Sequence, residues 1–483
     1  MSLLRKVFGK KDGKGKSTRK LGANAKAPVA KVDDSADIGV ATWNILADGL
    51  GLGEFMTNGG DEVCCWKNRG PKIASGIHAL LSSDVAIVAT QENDHPYWIL
   101  EEIKKKKSSV RMEFMVKNKN AIKFYANRLC DYLTDEEKYS KGDKSAFKNG
   151  DDKPDLVKIG KFLEVNPQVR DELTGKGITC TTFAEECFKL PSTKSGGDLY
   201  NYNDCLAIYY DSDVVQIDEN LERGEFGEIP QNPENLLCLD FIHTKDSSEY
   251  KFTVLAAHLK SGEDEKGEIK RVKELRALLE KASTFDNPII LMDSNTCVQY
   301  TETIKRNFDN KDAAKNFVFV KELFESKGFK STVAENEVKN KAIKMRHAQG
   351  KQPKKFGELF YDTIDKILVL DGTTATCISL EDSVSSDLKL FPNEHADFID
   401  ILRTNVEMRK KLHDVCVEEK WGPDMSINKT EKFDEFVKNE TTFNNFGSVK
   451  DVLMGLYPNE HMPSDHPPVV AKVTVKRFTG GSK

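Results

Sequence analysis

The sequence predicts a layered α/β domain, and three patterns carry that prediction. Seven apolar runs of strand length recur along the chain, each rich in Val and Ile. Two amphipathic helical segments lie between them, and most runs end in, or adjoin, a carboxylate, an amide or an imidazole. Short continuous apolar runs bounded by polar residues read as buried strands. Strands interleaved with helices bury their faces as a sheet under helical layers.

The elements follow in order. Residues 1–36 form a Lys- and Arg-rich tail with little to bury, so it is expected to be disordered. The domain is expected over 37–476. IGVATWN is the first strand and ends on Asn44. Trp66–Ser83 places Ile73, Ile77, Leu80 and Leu81 on one helical face. DVAIVATQE is the second strand and ends on Gln91 and Glu92. Residues 104–189 are Lys-rich and helix-leaning and read as an insertion. DCLAIYYD and KFTVLAAH follow, the latter ending on His258. Lys266–Ser283 places Ile269, Val272, Leu275 and Leu279 on one face. PIILMDSN ends with Asp293 and Asn295, and DTIDKILVLD contains Asp365. Residues 371–457 read as a second, mostly helical insertion. Asp465 and His466 immediately precede PPVVAKVTV, and 477–483 is a short C-terminal tail.

Composition narrows the function classes. A chain of 483 residues has room for about three domains or one large α/β domain with insertions; the second fits the run pattern. The net charge is −5, so global charge makes no case for nucleic acid. The basic tail, and the run Lys104–Lys107, are the candidates for contact with RNA; the tail could equally meet an anionic membrane or be an organelle presequence. No apolar run approaches the ~18 residues of a membrane span, and no secretory h-region begins the chain. Ten cysteines, with one adjacent pair (Cys64–Cys65) and no CxxC, read as reduced thiols. A cytoplasmic location is expected, with nuclear or organellar placement left open by the tail.

Carboxylates, amides and imidazoles at the ends of buried strands imply convergence on a ligand. Oxygen donors without cysteine suit a hard cation, Mg²⁺ or Mn²⁺. Asp293 and Asn295 alternate on an extended segment, which would point both side chains the same way.

Six motifs in order resemble the endonuclease/exonuclease/phosphatase superfamily: Thr42-Trp43-Asn44, Gln91-Glu92, His258-Leu259, Asp293-Ser294-Asn295, Ile364-Asp365 and Ser464-Asp465-His466. The resemblance implies a DNase I-like four-layer sandwich, two packed mixed β-sheets flanked by helices. The nearest branch is that of the carbon-catabolite-repressor-type deadenylases and nocturnin, on TWNILADGL, Trp66-x-x-Arg69, DCLAIYY, HLKSG with Arg271, and Met462-Pro463-Ser464-Asp465-His466-Pro467. Cys205 stands where that branch has glycine. Phe360 matches its adenine-stacking phenylalanine, but Glu263 stands in place of the opposing proline, and the Asp365-to-Asp465 segment is long.

By that resemblance Glu92, Asn44 and Asp465 are metal ligands or their neighbours. Asp293 orients the attacking water or binds a second metal, and Asn295 holds the water or a phosphoryl oxygen. His466 contacts the scissile phosphate with Asp365 fixing its tautomer, and His258 donates to a phosphate oxygen. Arg69, Lys260 and Phe360 are the expected substrate contacts. The expected activity is Mg²⁺-dependent phosphoester hydrolysis by a 3′-exoribonuclease on single-stranded RNA. The alternatives are a phosphatase acting on NADP or another small phosphorylated nucleotide, a DNA-repair phosphodiesterase, and an inactive scaffold of the same fold. No protein partner is implied.

Overall fold

The computed structural model describes residues 35–47, 55, 61–93, 95–116, 129–134, 136–143, 145–150, 154–166, 168–169, 205–218, 236–262, 264–297, 301, 304–305, 317–333, 342–345, 359–378, 405, 407–408, 411–412, 414, 435, 438, 457–459 and 461–477. The basic tail over 1–34 and Glu263 lie outside the described residues, as does most of the 371–457 segment.

Two six-stranded mixed sheets dominate. The first runs β13-β14-β1-β2-β4-β3. Its strands are β1 (Ser35–Asn44), β2 (Val85–Gln91), β3 (Val110–Val116), β4 (Cys205–Asp211), β13 (Ala375–Ile378) and β14 (Val469–Lys476). The second runs β5-β6-β7-β8-β12-β9. It consists of β5 (Val215–Ile217), β6 (Leu236–Lys245), β7 (Ser248–His258), β8 (Pro288–Asp293), β9 (Phe329–Ser331) and β12 (Asp365–Leu370). A separate hairpin pairs β10 (Ala342–Met345) with β11 (Leu359–Asp362).

Each six-stranded sheet contains one parallel pair, β1–β2 in the first and β7–β8 in the second. Parallel neighbours need a long crossover, usually a helix. The two helices legible in the sequence are those crossovers: α1 (Trp66–Ser82) and α4 (Glu265–Ala282). Among the described residues, the further helices of seven or more residues are α2 (Pro96–Lys104), α3 (Leu156–Val165) and α5 (Val320–Ser326).

Successive side chains of the central strands point to opposite faces, and both faces are buried, which defines four layers. Val40, Ile87 and Ile208 of the first sheet share one buried cluster with Val254, Ile289 and Ile367 of the second, so the sheets pack face to face. Their neighbours Ala41, Val88 and Ala207 turn outward under Ile73, Ile77 and Leu80 of α1 and Ile99 of α2. Leu255, Ile290 and Leu368 turn outward under Leu275 and Leu279 of α4 and Leu323 of α5. This is the expected four-layer α/β sandwich. Strands buried on both faces are apolar without a break, which explains why the runs do not alternate with polar residues. Gly39 answers to close approach: a Cβ there would stand 2.0 Å from the Asp84 carbonyl oxygen, where α1 returns the chain to β2.

Three local expectations differ. Ile269 is 45 % exposed, not buried. The inward stripe of α4 runs through Glu268, Arg271, Leu275 and Leu278, and Ile269 lies about 100° around the helix from Glu268. A buried ion pair, Arg271 to Glu268 at 2.7 Å, fills the start of that stripe. Within the helix-leaning 104–189 stretch, Val110–Val116 is a strand, and within the helical-looking 371–457 stretch so is Ala375–Ile378. No helix among the described residues is long and apolar enough to cross a membrane.

Candidate active site

The parallel pairs bring their C-terminal ends together. Asn44 at the end of β1 is in register with Gln91 of β2, and His258 at the end of β7 is in register with Asp293 of β8. The antiparallel neighbours begin at the same edge, with Asp365 opposite Asp293 and β14 entering beside Thr42. Strand direction alone therefore places Asn44, Glu92, His258, Asp293, Asp365 and the Asp465–His466 pair on one rim.

Side chains of these motifs brace that rim. The Trp43 indole donates to the His466 carbonyl at 2.8 Å, and the Ser464 hydroxyl donates to the Asn44 carbonyl at 2.6 Å. The Ser294 hydroxyl donates to the Ile364 carbonyl at 2.5 Å. Gln91 and Thr42 bond to each other across the buried strand pair at 3.0 Å.

One side of the site is built around Glu92 and Asp293. Asn44 Nδ2 donates to Glu92 Oε1 at 3.0 Å and to Asp293 Oδ2 at 2.8 Å, while its Oδ1 accepts from the Leu46 N–H. Glu92 Oε2 accepts from the Ala47 N–H at 3.0 Å. His258 Nε2 stands 3.4 Å from Asp293 Oδ2 and 3.9 Å from Glu92 Oε1. Glu92 holds a left-handed backbone (φ 54°), a conformation costing about 1–2 kcal/mol for a residue with a Cβ. Such strain persists where the surroundings fix a side chain in place. One ligand atom each from Glu92, His258 and Asp293 lies within 4.8 Å of the others. These carboxylates, beside a carboxamide and an imidazole, fit a hard divalent cation.

The other side is built around His466. Its Nδ1 is 2.8 Å from Asp365 Oδ2, and its Nε2 lies 3.6 Å from Asp465 Oδ2. Lys344, from β10, places its ammonium 2.5 Å from Asp465 Oδ2 and 3.4 Å from His466 Nε2. Burial opposes charge on the ring, but Asp365 and Asp465 together outweigh it and lift His466 to about 9, against the opposing Lys344. Burial pushes the Asp365 carboxyl up as well, against the pull of His466. The pair thus holds its proton firmly near neutrality, with Nδ1 spoken for and Nε2 facing the site.

The remaining expectations fall out differently. Arg69 is wholly buried (0 % exposed). Its guanidinium donates to the carbonyls of Cys64, Ile45 and Pro463 at 2.9, 2.7 and 3.3 Å. The group binds the loop after β1 to the loop before β14. Asn295 does not alternate with Asp293 on a strand. β8 ends at Asp293, Asn295 has φ 48°, its N–H caps Asp293 Oδ1 at 2.7 Å, and its Nδ2 donates to the Leu259 carbonyl. Asp465, expected at a metal, is paired with Lys344. Lys260 is exposed at the end of the His258 strand, where its main chain is held by Glu274 and Arg271. Phe360 lies in β11 with its backbone paired to Lys344. In the Lys104–Lys107 run, Lys107 is paired with Asp211 and Lys105 with Glu102.

Lys344 is the site residue the sequence reading missed. It sits in the short segment AIKM, one of 72 Lys and Arg residues, with no strand-length apolar run to mark it.

No family model matches the chain, and no curated protein matches it. Among solved structures it is similar to ANGEL2, a 2′,3′-cyclic phosphatase, in complex with adenosine-2′,3′-vanadate, at 11% identity over 92% of this chain and 97% of that one (TM-score 0.41). It is similar to the human Nocturnin catalytic domain with bound sulfate, at 11% identity over 91% and 94% (TM-score 0.38). It is also similar to an endonuclease/exonuclease/phosphatase family protein from Bacteroides thetaiotaomicron, at 14% identity over 91% and 98% (TM-score 0.37). Likenesses at TM-scores this low say nothing of the reaction; the site residues do.

Proposed function

We propose that the chain is a divalent-metal-dependent phosphoester hydrolase of the endonuclease/exonuclease/phosphatase superfamily, acting as a 3′-exoribonuclease on single-stranded RNA. The observation that carries the hydrolase reading is the pairing of two devices on one rim. A carboxylate pair bridged by Asn44 stands beside an imidazole held by a buried carboxylate. The first suits a hard cation and the second suits proton transfer. The RNA reading comes from the sequence motifs of the deadenylase and nocturnin branch and from the basic tail, expected over 1–36, that precedes the domain; the first strand of that domain begins at Ser35, two residues before the expected boundary.

Glu92 and Asp293 would hold Mg²⁺, with Mn²⁺ as a substitute, and Asn44 would set their spacing. The bound ion would neutralise a phosphoryl oxygen and assist the attacking water. His466 holds a proton at Nε2 for the departing oxygen, and Asp365 at Nδ1 fixes the ring's orientation and stabilises its charge. His258 offers Nε2 beside Asp293, where it can donate to a phosphoryl oxygen. Asn295, with its amide N–H₂ on Leu259, shapes the loop that holds Asp293.

A second reading is a phosphatase acting on NADP or another small phosphomonoester. Glu263, in place of the proline that would complete a base clamp with Phe360, favours it. The test is a panel of A-tailed RNA, mixed-sequence RNA, single-stranded DNA and NADP with Mg²⁺, with and without chelator. The proposal expects stepwise 3′ shortening of RNA that chelator abolishes. Phosphate release from NADP without RNA cleavage would move the function to the second reading. Turnover of DNA alone would indicate a DNA-directed phosphodiesterase, and no turnover of any substrate an inactive scaffold.

A further inference from the structure

We infer that Lys344 is a built-in cation of this site, so that the protein holds one divalent ion, on the Glu92–Asp293 side, and none at Asp465. The inference rests on the metal-dependent reading above and adds the number and location of the ions.

Lys344 is 5 % exposed, and its ammonium sits in a small triangle with Asp465 and His466. Burying an ammonium is costly unless a carboxylate meets it at short range. Asp465 does so at 2.5 Å. A divalent ion coordinated by the same Oδ2 would stand within a few ångströms of that ammonium, like charge against like, and would have to displace it.

Strand register sets where the lysine stands. β10 pairs in register with β11, which sets Lys344 opposite Phe360, and β11 ends at Asp362, three residues before Asp365 opens β12. The hairpin carrying the cation and the strand carrying the His466 partner are therefore one continuous piece of chain. Lys344 positions: it holds the Asp465 carboxylate and lays fixed positive charge beside His466 Nε2. A lysine supplies charge without requiring a coordination sphere, so it leaves Asp465 and His466 nothing to exchange during turnover. On the other side, Glu92, Asp293 and His258 keep their ligand atoms within 4.8 Å of one another, a spacing a divalent ion can span; Asp293, Asp365 and His466 lie as close together, but there Asp365 is already bonded to His466 at 2.8 Å and Lys344 stands 3.4 Å from the ring's other nitrogen.

The decisive measurement is the number of Mn²⁺ ions bound by the full chain, counted by electron paramagnetic resonance. One ion is expected in the parent chain, one in Lys344→Arg, and two in Lys344→Met. Glu92→Gln should remove the ion of the parent chain. In parallel, Lys344→Met should hydrolyse bis-nitrophenyl phosphate about 100-fold more slowly at a Mg²⁺ level that saturates the parent, with part of the rate restored by more Mg²⁺. Two ions in the parent chain would overturn the inference. So would a folded Lys344→Met, judged by its circular dichroism melt, that still binds one. Should Lys344→Met fail to fold, the parent and Lys344→Arg counts decide: a second ion in either overturns the inference. An ion lost in Glu92→Gln but unaffected by Lys344→Met defeats only the inference. No bound Mn²⁺ in the parent chain defeats the metal-dependent reading as well.

Discussion

The two sides of the site use opposite solutions to the same problem, which is holding carboxylates together away from water. Around Asp465 and Asp365 two cations stand, the Lys344 ammonium and the His466 ring, which is lifted to about 9, with the Asp293 carboxylate opposite Asp365. Around Glu92 and Asp293 they include a carboxamide, a main-chain N–H and the His258 imidazole. Both sides bring three ligand atoms within 4.8 Å, but the first carries its own counter-charge in Lys344 and His466, while the second gathers its oxygen donors around a neutral carboxamide. The difference teaches that motifs equally rich in carboxylate can serve different ends, and that the neighbour, not the carboxylate, decides which.

The strongest way to break this contrast is at Glu92. Glu92→Gln keeps the shape and removes the charge, so hydrolysis should fall about 10³-fold and Mg²⁺ should lose its effect, because an amide holds a hard cation poorly. Parent-like rates at limiting Mg²⁺ would remove Glu92 from the metal. On the other side, His466→Ala should lose about 10²–10⁴-fold in turnover. The Mn²⁺ affinity should stay near that of the parent. Loss of metal binding in His466→Ala would show that the two sides are not separate.

Arg69 tests whether the rim is held from behind. Arg69→Met leaves buried carbonyls at Ile45 and Pro463 without their donor, and should lower unfolding stability by about 2–5 kcal/mol in a denaturant titration. A stable variant with impaired substrate binding would return Arg69 to the role first expected of it. The smallest effect concerns pH. His466 has a folded value near 9 against an ordinary 6.5, so its charged form stabilises the fold fully below pH 6.5. That contribution fades as pH rises through about 9. The melting temperature of the metal-free chain should therefore decline over that window, and less so in His466→Ala. An identical decline in both would place the titration elsewhere.

The strands visible in the sequence are those with sheet on both sides or a neighbour on each edge: β1, β2, β4, β7, β8, β12 and β14. The four edge strands, β3, β5, β9 and β13, were not visible. A strand in the middle of a four-layer sandwich is covered on both faces and becomes a continuous apolar run. An edge strand is short or half-covered and resembles the loops around it. β6 escaped for a similar reason, since its second half, from Asp240 to Lys245, mixes buried with half-exposed residues.

What the sequence determined by itself was which residues stand at the rim, because a polar side chain ending a buried apolar run is a local pattern. Asn44, Glu92, His258, Asp293, Asp365 and His466 could all be named that way. Which of them meet, and what else joins them, was decided only by the tertiary structure. Lys344 reaches Asp465 across 121 residues, and Arg69 reaches Pro463 across 394. Nothing in the sequence around either basic residue distinguishes a buried clamp from a solvated charge. The distinction comes from strand register and crossover direction, which bring distant segments to one edge, and from the cost of leaving a buried carboxylate or carbonyl without a partner.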